Sequence, residues 1–178
     1  MLQTDGSKYS YIFVKNKEIF SSVKKLVHDK TIIIPHICNN VNAFGSGFSG
    51  SIDHHFPIVK DNFYLLGNKN KLGHTQFIEV AKSNKHKIIV ANMIAQNGLK
   101  NKSNPRPLNY WALAHCMYNV NLYIKDIMNT IDDEDIEIHT IKFGAGLAGG
   151  NWKFISDIID DIWSKYLVFI YGSNISTI

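Results

Sequence analysis

The chain has 178 residues, 45% of them hydrophobic, and a formal net charge of +4, which suits one domain spanning 1–178 with a core of its own. No apolar run approaches the roughly 20 residues a membrane helix needs, and Met1–Ser7 has no basic region leading into an apolar core, so neither a membrane partner nor a secretory signal is expected. The positive charge is almost all lysine, with Arg106 the single arginine; base-edge reading and bidentate phosphate clamps favour arginine, so nucleic acid is not an expected partner.

In chain order, the pattern predicts a strand over Tyr9–Val14 and then a helix whose apolar stripe is Ile19, Phe20, Val23, Leu26 and Val27. A strand over Thr31–Ile37 leads into an Asn- and Gly-rich loop. A helix beginning near Ser46 carries Phe48, Ile52, Phe56, Val59 and Phe63, interrupted at Pro57, which suits the start of a second short helix. Strands follow over His74–Val80 and Lys87–Ala95. A long helix starts near Leu108 and is lined by Leu113, Cys116, Met117, Val120, Ile124 and Ile127. The acidic run Asp132-Asp133-Glu134-Asp135 reads as a solvated loop rather than a metal site. After a strand over Ile136–Phe143 comes a glycine-rich run, then a helix capped by Asn151 and lined by Trp152, Ile155, Ile159, Ile162 and Trp163. The last strand is Tyr166–Tyr171. Such alternation implies an α/β fold, a largely parallel sheet of about six strands covered on both faces. Cys38 and Cys116 form neither a disulfide framework nor a metal spacing; both are expected as buried thiols in a reducing cytoplasm.

Two loops at strand ends carry the chemistry, where such sheets bind ligands. The first, Pro35 to Gly50, has Gly45, Gly47 and Gly50 for close backbone approach, and Asn39, Asn40 and Asn42, whose amides suit sugar hydroxyls. The second is Phe143-Gly144-Ala145-Gly146-Leu147-Ala148-Gly149-Gly150-Asn151-Trp152. A strand entering a glycine loop and then a helix presents free N–H groups and the positive end of a dipole to an anion. Two such loops facing each other could hold a diphosphate.

This combination resembles a macro domain, the ADP-ribose-binding α/β/α module, over roughly Tyr9 to Tyr171. The similarity is to the subgroup of ADP-ribose 1″-phosphate phosphatases and terminal ADP-ribose protein glycohydrolases. It rests on His36 at the end of the second strand, Gly45-Ser46-Gly47 nine residues later and Gly144-Ala145-Gly146-Leu147 before the last helix. The stretches Ala91 to Gly98 and Asn109 to Leu113 also resemble it. The resemblance implies a three-layer α/β/α sandwich with a mixed sheet. It implies that Glu18, with Ile19, meets the adenine, although Lys17-Glu18-Ile19 stands where the family has Gly-Asp-Ile. Asn39, Gly45, Ser46, Gly47 and Phe48 would meet the distal ribose and its phosphate. Gly144, Ala145, Gly146, Leu147, Ala148 and Gly149 would meet the diphosphate, and Tyr171 would flank the base or sit in the core. The glycohydrolase branch uses a lysine near the end of the fourth strand and an aspartate in the second loop. Here Ala95-Gln96 and Ala148 stand there, and Lys100 and Lys102 lie in a loop expected to be mobile.

His36 and Asn42 are therefore the candidate catalytic residues, His36 moving protons and Asn42 orienting a water or a ribose hydroxyl. Two readings stay open. One is a hydrolase, phosphatase-like or acting on an ester at the distal ribose; the other is a reader or sequestering protein for ADP-ribose-type nucleotides. An ADP-ribosylated protein is a further partner the resemblance implies, and no cofactor or metal is. His54, His55, His115 and His139 read as structural.

Overall fold

The computed structural model describes residues 9–129 and 135–172. In order, these form β1 (Ile12–Lys15), α1 (Ile19–Leu26), β2 (Thr31–Asn39), α2 (Phe48–His55), α3 (Ile58–Leu66), β3 (Thr75–Ser83), β4 (His86–Gln96), α4 (Tyr110–Met128), β5 (Ile136–Ile141), α5 (Trp152–Trp163) and β6 (Leu167–Gly172). The sheet runs β1-β6-β5-β2-β4-β3. Every pairing is parallel except β3 with β4. That exception is a hairpin: Ser83 pairs with His86 across a two-residue turn in which Asn84 takes φ 54°, a left-handed conformation that asparagine tolerates.

Period-2 alternation along the central strands sends side chains to two cores. Ile33, Ile89 and Ile138 face α4 and α5 and pack with Leu113, Met117, Ile155 and Trp163. Ile32, Ile34, Ile88 and Val90 face the other way, toward Phe20, Val23, Ile52 and Val59 of α1, α2 and α3. The expected three-layer α/β/α sandwich is thus present, and its central strands read as continuous apolar runs because both faces are covered. The Trp163 indole N–H donates to the Met117 carbonyl at 3.1 Å, tying α5 to α4. No helix among the described residues is long and apolar enough to cross a membrane.

Several boundaries differ from the sequence pattern. β3 continues to Ser83 past an irregularity between Glu79 and Ala81, which breaks the alternation that marks a strand. Leu108 is not helical: it makes an isolated bridge to Gln96, and Asn109 caps α4 by accepting from the Ala112 N–H at 2.9 Å. Asn151 caps α5 as expected, accepting from Lys153 (2.9 Å) and Phe154 (3.4 Å). Of the acidic run, only Asp135 falls within the described residues; it pairs with Lys85 at 2.9 Å and Lys30 at 3.9 Å.

Candidate functional site

The carboxyl ends of β2, β4 and β5 open into a cleft of 490 Å³ between the two loops. One wall is the first loop and the start of α2, through Asn39, Ala43, Phe44, Ser46, Gly47, Phe48 and Ser49. The opposite wall is Phe143, Gly144, Gly146, Leu147 and Ala148; His36, Ile37 and Cys38 of β2 also line the cleft, and Gln96, Leu99, Lys100, Ile141 and Lys142 complete it. The two loops approach each other closely: a Cβ added to Gly47, which has φ 58°, would lie 3.3 Å from the Leu147 Cδ1.

The first loop is folded by one side chain. Asn39 Oδ1 accepts from the Val41 N–H (3.1 Å) and the Ala43 N–H (3.0 Å), while Nδ2 donates to the Ala43 carbonyl (2.6 Å). Its amide is thereby occupied by backbone rather than left open to a sugar. Ser49 closes the next turn, accepting from the Gly45 N–H (3.2 Å) and donating to the Ser46 carbonyl (2.8 Å). α2 then begins at Phe48 with no side-chain cap; the Gly50 N–H bonds the Gly47 carbonyl at 3.1 Å, while the Phe48 and Ser49 N–H groups remain open donors at the cleft wall.

In the second loop, the Gly149 N–H bonds the Gly146 carbonyl (3.0 Å) and the Gly150 N–H bonds the Gly144 carbonyl (2.7 Å). The Gly149 amide is therefore engaged within the loop, unlike the diphosphate donor expected of it. Gly149 has φ 69°, and a Cβ there would fall 2.5 Å from the Pro105 carbonyl oxygen; only glycine lets the loop pack against 105–106. Among the described residues, the N–H groups of Ala145, Gly146, Leu147 and Ala148 make no hydrogen bond. Of these, Gly146, Leu147 and Ala148 line the cleft and Ala145 does not; open donors facing an uncapped helix start suit an anion. No carboxylate among the described residues lines the cleft, whereas Lys100 and Lys142 do.

His36 is 1% exposed. Its Nε2 bonds Asn92 Oδ1, and its ring meets Phe44 and Phe48 edge-on at 5.7 and 6.2 Å between centroids. Burial lowers its pKa to about 4, against a smaller opposing effect of the Asn92 bond, so it is uncharged at neutral pH. Burial likewise pushes the neighbouring Cys38 thiol well up, and both cysteines are free and buried as expected. Asn42, with φ 58°, accepts from Asn70 Nδ2 at 3.1 Å and does not line the cleft.

The residues expected at the adenine end lie outside the cleft lining. Both Glu18 carboxylate oxygens cap α1, accepting from the Phe20 N–H (2.8 Å) and the Ser21 N–H (2.6 Å). Ile19 is buried in the core. The Tyr171 hydroxyl bonds His139 Nδ1 at 3.0 Å, and His139 Nε2 bonds Glu137 at 2.8 Å; Tyr171 is thus a core residue rather than a cleft wall. His55 stacks on Phe20 at 4.2 Å and His115 on Trp111 at 5.3 Å, and no metal-binding cluster occurs among the described residues.

Lys100 and Lys142 were not among the expected site residues. The loop carrying Lys100 is tied by side-chain bonds: Asn40 donates to Asn97 Oδ1 (3.0 Å) and accepts from the Gly98 N–H (2.8 Å), while Asn104 donates to the Asn97 carbonyl (2.9 Å). Asparagine-to-backbone bonding of this kind leaves no periodic signal. Lys142 directly follows β5, and its ammonium sits 5.1 Å from the Phe13 ring centre and 5.8 Å from that of Trp152. Its position between a strand and a glycine loop was the available clue.

No protein-family model matches the chain. It is 30% identical over 143 residues to an uncharacterized 17.5 kDa protein in the tk–vs intergenic region of Enterobacteria phage T4, covering 77% of this chain and 83% of that one. Among solved structures it is similar to a protein of unknown function from Bacteroides thetaiotaomicron (26% identity, TM-score 0.72, 90% of this chain and 98% of that one). It is also similar to a macrodomain protein from Streptomyces coelicolor (24% identity, TM-score 0.64, 80% and 88%). A third similarity is to Thermosipho africanus DarTG in complex with ADP-ribose (13% identity, TM-score 0.63, 93% and 42%).

Proposed function

Since the chain belongs to the family of the phage T4 17.5 kDa protein and has the macrodomain α/β/α fold, we propose that it binds ADP-ribose or an ADP-ribose derivative in the cleft between its two glycine loops. The observation that carries this is the run of open N–H groups from Gly146 to Ala148 across the cleft from the uncapped start of α2. They belong to residues that line a cleft also lined by Lys100 and Lys142 and, among the described residues, by no carboxylate. A diphosphate fits such a place, because main-chain amides and helix starts stabilise spread negative charge without side-chain reorganisation. Ser46, Gly47 and Phe48 would face the distal ribose, with the aromatic edges of Phe44 and Phe48 shaping that end. The adenine would lie toward α1. There Glu18 would have to share its carboxylate between the helix start and the base.

Titration calorimetry with ADP-ribose tests this. One site per chain is expected, with much weaker binding of AMP and none of ribose. No heat with ADP-ribose at millimolar concentration overturns it.

A second reading, hydrolysis of a group at the distal ribose, draws support from Lys100 and His36 lining the same cleft. Water would attack the phosphorus of a 1″-phosphate or the carbonyl of an ester. The bond to the sugar oxygen breaks, and that oxygen leaves with a proton. The loop amides and the Lys100 ammonium would hold the developing charge, as oxyanion donors do. Phosphate release from ADP-ribose 1″-phosphate, lost in Lys100→Met while ADP-ribose binding persists, is the expected pattern. Recovery of intact ADP-ribose 1″-phosphate, and of acyl-ADP-ribose esters, leaves binding as the whole activity.

A further inference from the structure

We infer that Gln76 and Asn92 are positioning residues that hold the His36 imidazole as its Nε2–H tautomer, so that Nδ1 is the hydrogen-bond acceptor of a ring that lines the cleft. The functional meaning of this rests on the ADP-ribose reading of that cleft. The relay itself rests on geometry alone.

The direction of every bond follows from one end. The main-chain carbonyl of Asn62, on α3, can only accept. Gln76 on the edge strand β3 reaches it at 2.9 Å, so the Gln76 atom there is its NH2 group. The Gln76 carbonyl oxygen then faces Asn92 on β4 and accepts from the Asn92 NH2 at 3.0 Å. That leaves the Asn92 carbonyl oxygen against His36 Nε2, which must donate. A neutral imidazole has one N–H, so Nδ1 carries the lone pair. The Cys38 thiol, a weak donor, lies 3.9 Å from Nδ1 and 3.6 Å from Nε2. Asn92 is 0% exposed and His36 1%, so bulk water has little access with which to substitute for a missing member of the chain, and an amide turned the wrong way would leave two buried donors face to face.

The consequence is a selectivity rule for this end of the cleft. With Nε2–H spent on Asn92, the ring has only the Nδ1 acceptor left for a ligand, which favours a group that donates, such as a ribose hydroxyl, over one that only accepts, such as a phosphate dianion. Gln76 and Asn92 would act on the ligand only through His36 and its aromatic neighbours Phe44 and Phe48.

The test is the pair Gln76→Leu and Gln76→Glu in the full chain. It is read by two-bond 1H–15N correlation spectra of the histidine rings at pH 7, with ADP-ribose affinity measured alongside. In the unaltered protein His36 should show one protonated-type and one lone-pair-type nitrogen, with the proton on Nε2. Gln76→Leu frees Asn92 to turn over; the His36 nitrogens should move toward the averaged values of mixed tautomers, and ADP-ribose affinity should fall several-fold. Gln76→Glu gives up the bond to the Asn62 carbonyl but still offers only acceptors to the Asn92 NH2, so it should retain the unaltered ring pattern. A merely structural role for Gln76 would not separate the two variants in the ring spectrum. A proton on Nδ1 in the unaltered protein, or Gln76→Leu spectra that match it, overturns the relay. Expected spectra without ADP-ribose binding by the unaltered protein uphold the relay and overturn the ligand.

Discussion

Lowering the pH should remove a measurable share of this protein's stability through one residue. His36 has a pKa of about 4 in the folded chain against an ordinary 6.5, because burial disfavours its cation. Between those values the unfolded chain takes up a proton that the folded chain does not. Stability therefore rises with pH across that window: the contribution is complete above 6.5 and is lost progressively as pH falls toward 4. At ~1.4 kcal/mol per pH unit the window is worth about 3 kcal/mol, a sizeable part of the ~5–15 kcal/mol that domains possess. Urea unfolding of the unaltered protein and of His36→Gln, followed by circular dichroism from pH 4 to 7, isolates the effect. Other groups titrate equally in both proteins and cancel in the difference. The variant should lose a roughly constant increment for altered packing and then show a shallower pH dependence. The two stability curves should converge by about 3 kcal/mol between pH 6.5 and 4. Parallel curves across that interval would refute the buried neutral imidazole, and with it the environment described for that ring.

Other outcomes follow from the loops and caps. Asn39→Ala removes three bonds that fold Val41 to Ala43; at ~1 kcal/mol each it should lower stability by about 2–3 kcal/mol, seen as a Tm drop of roughly 5–10 °C, and weaken ADP-ribose binding in calorimetry. Gly149→Ala forces a side chain against the Pro105 carbonyl at a positive φ, which should displace the second loop and reduce ADP-ribose affinity at least tenfold, with a Tm loss that a thermal melt detects. Glu18→Ala deletes the α1 cap at a cost of ~1 kcal/mol, about 2–4 °C in Tm. Burial alone would raise the Glu18 pKa, but the Ser21 and Phe20 N–H groups outweigh it and the net shift is downward. Its contribution is therefore present above the ordinary carboxylate value and lost as pH falls through the lower folded one, a loss that acid melts of Glu18→Gln should lack.

The fold was legible because its signals are local and repeated. Six apolar runs and their intervening stripes specified all six strands, and Pro57 and Asn151 marked helix starts that the structure retains. Tertiary bonding decided what the pattern left out. The last residues of β3, Ala81 to Ser83, carry no apolar alternation, yet pair with Ile88, Lys87 and His86. Leu108 fits a helical stripe but is drawn into a bridge with Gln96 and a bond to the Ala148 carbonyl. In the candidate site, the glycines announced both walls of the cleft, since close approach demands them. The partners of polar side chains were not readable. Whether Asn39 would meet a sugar or its own loop, and whether Tyr171 would meet a base or His139, depends on distances between residues far apart in sequence. Lys100 was hidden for the same reason, its loop being tied by Asn40 and Asn104 rather than by any element.

The amide of Asn39 has one more implication. Because it and the Ser49 hydroxyl already hold the first loop in shape, a nucleotide bound as proposed would find that wall set rather than having to order it. The conformational freedom surrendered on contact would then be the ligand's own rather than the loop's. Competing nucleotides would arrive at similar rates and be told apart by how quickly they escape.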